Sequence, residues 1–77
     1  MEYSDIHIGD LLIAGIEDNT YRYKCIGKIE RMQYIRVQIA YEYNFAERRH
    51  FPTQSGSIYT VSPDCFCAKI KKKAVVL

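Results

Sequence analysis

Between Ile35 and Phe45 every odd position is large and apolar or aromatic: Ile35, Val37, Ile39, Tyr41, Tyr43, Phe45. The even positions are Arg36, Gln38, Ala40, Glu42 and Asn44, polar apart from one alanine. Side chains alternate faces along a strand, so the pattern predicts a long strand with one dry side and one wet side. A helical period of 3.6 would scatter the same six residues around the axis.

The rest of the chain reads in shorter pieces. Met1 to Asp5 is a lead-in, Ile6-His7-Ile8 a brief alternating piece, and Gly9-Asp10 a turn signal. Leu11 to Ile16 is apolar on both faces and predicts a central strand, with Gly15 marking a bulge or bend. Glu17 to Thr20 is a turn rich in residues that bond their own backbone. Tyr21 to Glu30 is a second long strand, with Tyr21, Tyr23, Cys25 and Ile29 on one face and Arg22, Lys24, Lys28 and Glu30 on the other with Ile26.

Paired antiparallel residues share a face. The two apolar faces therefore coincide when Arg22 pairs with Glu42, or in the register two residues further on. A shift by one residue would set tyrosines against glutamines and is excluded by burial.

Ala46 to Phe51 reads as a charged solvated loop, and Pro52 to Ser57 as a loop punctuated by proline and glycine. Ile58 to Val61 is the fourth strand. Ser62-Pro63-Asp64 predicts a single 3₁₀ step with Ser62 capping and Pro63 in the first turn. Cys65 to Ile70 is the last strand, with Phe66, Ala68 and Ile70 on one face. Residues 71–77 form a tail, Lys71-Lys72-Lys73 followed by Ala74-Val75-Val76-Leu77.

Five short strands separated by regular turn signals predict an all-β, partly open small barrel over about residues 6–70. Gly9-Asp10 leading into the first strand, Gly27 inside the second, the long Ile35–Phe45 strand and Ser62-Pro63-Asp64 before the last strand together resemble a Src-homology-3-like barrel. The acidic specificity loop and the groove tryptophan of proline-peptide binders are missing. The resemblance thus implies a fold and not a ligand.

Composition narrows the classes. Seventy-seven residues make one small domain, 48% hydrophobic and 26% charged. At that size only about 60–65% of the unfolded surface is buried, which leaves little core for a deep cleft. The charge of +2 permits phosphate contact without demanding it. Three cysteines, an odd number without a framework spacing, point to a reducing, cytoplasmic setting. The longest apolar run, Leu11 to Ile16, is far short of the ~20 residues that cross a bilayer. With no signal-peptide pattern and a start at Met1, the chain reads as a complete small gene product that does not engage membranes.

No motif specific to catalysis, cofactors or nucleotides is present, and a non-enzymatic binding module is the expectation. Cys65-x-Cys67 is the nearest approach to a metal signature, but a second cysteine or histidine knuckle is missing, and small apolar packing is the simpler role. A protein partner is expected to meet Arg48, Arg49, His50 and Tyr59, with Tyr34 and Arg36 as a second patch, because these types dominate interface hot spots.

Stand-alone size and the lack of catalytic groups resemble the accessory proteins of phages and mobile elements, which often inhibit or redirect a host machine. The alternative is nucleic acid bound by Arg22, Lys24, Lys28, Lys69, Lys71, Lys72 and Lys73, with Tyr34 and Tyr59 as stacking platforms. A further alternative is a small anionic ligand, such as a signalling nucleotide, clamped by Arg and Tyr between protomers of a homo-oligomer.

Overall fold

The computed structural model describes residues 1–14, 21–53 and 55–70. The predicted bend at Gly15, the turn at residues 17–20 and the tail at residues 71–77 lie outside them. Six strands form one antiparallel sheet: β1 (Leu11–Ala14), β2 (Tyr21–Ile29), β3 (Tyr34–Asn44), β4 (Arg49–Pro52), β5 (Ile58–Val61) and β6 (Phe66–Ile70). The order is β4-β3-β2-β1-β6, and β5 pairs with the first half of β3 on the edge that β4 occupies further along. β1 is central, as its two apolar faces require. Among the described residues no pairing joins β5 to β6, and the sheet is curled but not closed.

The strand count exceeds expectation by one because Arg49–Pro52, read as loop, pairs with Tyr41–Asn44. Pro52 stands at the end of an edge strand, the place where a missing N–H is tolerated. Among the described residues three 3₁₀ turns occur instead of one, at Tyr3–Asp5, Glu30–Met32 and Pro63–Cys65. The last follows its expected mechanism, since the Ser62 hydroxyl accepts from the Asp64 amide at 3.4 Å and proline opens the turn.

The core is Ile6, Leu12, Cys25, Ile35, Val37 and Phe66, with Ile39 also buried. Val37 is 1% exposed, so the first half of β3 buries the face that alternation assigns to it. Ile6 belongs to no strand, yet the N-terminal segment places it fully buried in the core. Lys28 holds that segment, donating to the carbonyls of Ile6 (2.7 Å) and Tyr3 (3.1 Å) with its ammonium 4.1 Å from the Tyr3 ring centre. On the far side of the segment Lys69 donates to the Asp5 carbonyl at 2.8 Å and pairs with Asp10.

Neither expected register is observed. The middle of the hairpin pairs Tyr23 with Ile39 and Cys25 with Val37, two residues away from the Arg22–Glu42 register. Beyond each end a bulge shifts the pairing by one, with Ile26 the extra residue on β2 and Ala40 the extra residue on β3. The parity argument holds only for an unbroken ladder, and a bulge resets it. One reset sets Lys28 opposite Ile35 and Gly27 opposite Arg36, whereas the Arg22–Glu42 register would have set the two cations Lys28 and Arg36 against each other. The other sets Arg22 opposite Tyr41, which carries Tyr41 and Tyr43 off the core face.

A third irregularity, between Ile13 and Ala14 on β1, leaves Cys67 unpaired. It places Phe66 beside Ala14 on the dry side while Ala68 and Ile70 lie opposite Ile13 and Leu11 on the outer side. The single face expected for Phe66, Ala68 and Ile70 is therefore split.

Gly56 is required by close approach. A Cβ there would collide with the Ile39 carbonyl, where the Ile39 amide donates to Ser57 and the Gln38 amide group to Gly56.

Candidate docking surface

β3 outlasts the core. Past Ala40 it pairs with β4, still beside β2 as far as Glu42, and from Tyr43 on, β3 and β4 continue as a two-stranded arm whose turn has a local cause. The Asn44 side-chain oxygen accepts from the amides of Ala46 (2.9 Å) and Glu47 (3.1 Å), folding the chain back in an Asx turn. Arg48, at φ 55°, closes it in the left-handed region.

The arm carries the aromatics that alternation assigned to the interior. Phe45 is 74% exposed at the tip, not buried as expected. Its ring meets Tyr43 edge-on at 5.0 Å, and Tyr43 meets His50 at 5.1 Å, across the pair that joins β3 to β4. On the opposite face the Arg49 guanidinium lies 4.4 Å from the Phe51 ring centre and 3.4 Å from a Glu47 carboxylate oxygen. None of these rings joins the core cluster. They form a ladder along a protruding ribbon, with Arg48 and Arg49 at its end.

The contact residues named from sequence fall in three places. Arg48, Arg49 and His50 share the arm. Tyr59 lies opposite Val37 on β5, 45% exposed and edge-on to Tyr23 at 6.3 Å. There it lines an apolar hollow of about 220 Å³ with Ala14, Tyr23, Val61, Cys65 and Phe66. Tyr34 and Arg36 stand at the start of β3; at ~3.3 Å per residue they are roughly 25–35 Å from the tip. Phe45 and Tyr43 were missed because alternation assigned them to the core. The signal that could have found them is length: an eleven-residue strand in so small a domain extends past any interior available to it.

The basic residues are dispersed. Arg22 and Lys24 do occupy the outer face of β2, and Arg36 is exposed. Lys28 and Lys69 turn to the N-terminal segment instead, and Lys71, Lys72 and Lys73 lie outside the described residues. Cys65 and Cys67 do not share a strand, because Cys65 ends the 3₁₀ turn and Cys67 is the bulged residue of β6. Among the described residues no three metal-ligating side chains converge.

Cys25 sits in the core, where burial pushes its thiol up and keeps it protonated. Asp10 is held below the ordinary aspartate range, chiefly by the His7 amide that donates to it at 2.9 Å and then by Lys69. No helix among the described residues is long and apolar enough to cross a membrane. Comparison with family profiles, curated proteins and solved structures returns no match.

Proposed function

We propose that the protein is a non-enzymatic docking module that engages a protein partner through the β3–β4 arm. The observation that carries this reading is the exposed Phe45 ring at the tip, stacked edge-on with the half-buried Tyr43 and through it with His50, none of them part of the core cluster. Aromatic and arginine side chains on a protruding element supply contact area at low entropic cost, and they dominate measured hot spots. Tyr59, Tyr34 and Arg36 serve as outlying contacts at most, being on other parts of the sheet.

The scaffold fits a Src-homology-3-like barrel. β1, β2, β3 and β5 are antiparallel neighbours, and a 3₁₀ turn returns the chain so that β6 lies against β1. The arm is then an insertion between the third and fourth barrel strands. Free cysteines suit a cytoplasmic setting. The small accessory proteins of phages and mobile elements, which inhibit or redirect a host machine, are the functional class this arrangement resembles.

Nucleic-acid binding is the weaker reading, because Lys28 and Lys69 are engaged internally and Arg49 faces Glu47. The test is affinity capture from a native lysate, with and without nuclease, using the wild type, Phe45→Ala and the Arg48→Ala/Arg49→Ala pair. Nuclease-resistant capture lost in both variants is expected. Capture that depends on nucleic acid, or that survives both variants, rejects the arm as the interface.

A further inference from the structure

A different face of the sheet brings two cations and a groove together. Tyr23 packs inward, so its neighbours Arg22 and Lys24 both project from the outer face of β2. Arg22 stands between Ile13 and Tyr41, and Lys24 between Leu11 and Gln38. Among the described residues neither cation has a carboxylate within ion-pair distance. The Arg22 Nε is moreover buried and without a hydrogen-bond partner. An orphaned donor on a permanently charged group is costly, and native structures seldom leave one unexplained. Next to Arg22, adjoining it through its pairing partner Tyr41 and not lined by Arg22 itself, lies a groove of about 460 Å³ lined by Lys24, Gln38, Ala40, Tyr41, Pro52 and Thr53. That volume falls within the range of small-molecule sites.

We propose that this outer-face groove binds a small phosphate-bearing ligand of about mononucleotide size. Two cations two residues apart on one strand face are roughly 6.5–7 Å apart along the backbone, close enough to share one multiply charged anion. The guanidinium fork suits phosphate oxygens, and the lysine adds a point charge. Tyr41 and Pro52 offer apolar walls to the body of the ligand. Gln38 already donates its amide to Gly56, which leaves its carbonyl oxygen to accept from the ligand. The site does not depend on the docking reading, since Phe45, Arg48 and Arg49 take no part in it.

The test follows the Arg22 Nε–H resonance and the amides of Lys24, Gln38, Tyr41 and Thr53 by ¹H–¹⁵N NMR. The probes are inorganic phosphate, pyrophosphate and adenosine monophosphate, each titrated into purified protein. Saturable shifts at these positions are expected, weakened roughly tenfold by Lys24→Met, an exposed substitution that leaves the fold intact. Arg22→Met should abolish the response and, by removing an orphaned donor, raise the thermal midpoint of the unliganded protein. A stronger response to the nucleotide than to the inorganic anions assigns the ligand as an organic phosphate, and equal responses assign the free anion.

An Arg22 Nε–H unmoved by all three probes overturns the proposal. So do shifts that survive Lys24→Met. If Arg22→Met fails to fold, the Lys24→Met titration decides alone.

Discussion

The two halves of β3 obey the same alternation and meet different fates. From Ile35 to Ile39 the odd residues are buried among Leu12, Cys25 and Phe66. From Tyr41 to Phe45 they continue the pattern and bury nothing of the core, because the extra residue Ala40 rotates them away and β4 replaces β5 as the neighbour. Alternation reports that a strand has two different faces. Whether the apolar face lies over an interior depends on what packs against it, which is a tertiary property. In the first half the apolar face supplies stability, and in the second it is available for contact.

The sharpest way to break this comparison is to truncate one residue in each half. Ile35→Ala removes buried methylenes and should cost about 2–5 kcal/mol, enough to unfold much of a domain this small at 37 °C. Phe45→Ala should change stability by less than about 0.5 kcal/mol, since its ring lies outside the core. Thermal or urea unfolding of the two variants measures both. Equal losses would mean that the arm is part of the cooperative core.

Next in size is Lys28→Met, which tests the barrel end remote from the arm. The ammonium satisfies the Ile6 and Tyr3 carbonyls and lies against the Tyr3 ring. Its loss should cost about 1–3 kcal/mol and loosen residues 1–8. Faster amide exchange at Ile6 with unchanged exchange in the arm would confirm that the lysine is a strap holder rather than part of a basic surface.

The smallest effect expected is pH-dependent and again confined to the barrel. The folded protein holds Asp10 below its ordinary value of 3.8, chiefly through the His7 amide, so ionised Asp10 stabilises the native state. That contribution is complete above the ordinary value and is lost as pH falls through the lower folded one. The thermal-midpoint gap between wild type and Asp10→Asn should therefore be constant near neutrality and close as pH drops below about 4. A gap that instead widened in acid would reverse the assigned sign.

Much of the fold was legible in sequence because it rests on local signals. The β class, the central place of Leu11–Ala14, burial at Val37 and Ile39, and the Ser62-Pro63 turn all follow from alternation or turn chemistry. The face assignments that escaped depend on three bulges, at Ile26, Ala40 and Cys67, which carry no composition signature of their own. Each inserts one residue and inverts every face assignment beyond it. Lys28 thereby moved from outer face to barrel end, Tyr41 from core to surface, and Ala68 away from Phe66. The proposed contact set was only partly named in advance. Arg48, Arg49 and His50 were chosen for residue type and do share the arm. Phe45, the arm's exposed aromatic, and Tyr43 against it were hidden by the rule that located the strand.

Amide hydrogen exchange along β3 tests the division most directly. The amides of Val37 and Ile39 should exchange only through global unfolding, while those of Tyr43 and Asn44, paired with the edge strand β4, should open orders of magnitude more readily. Uniform protection from Ile35 to Asn44 at the level of the global free energy would show one continuous core and contradict the account.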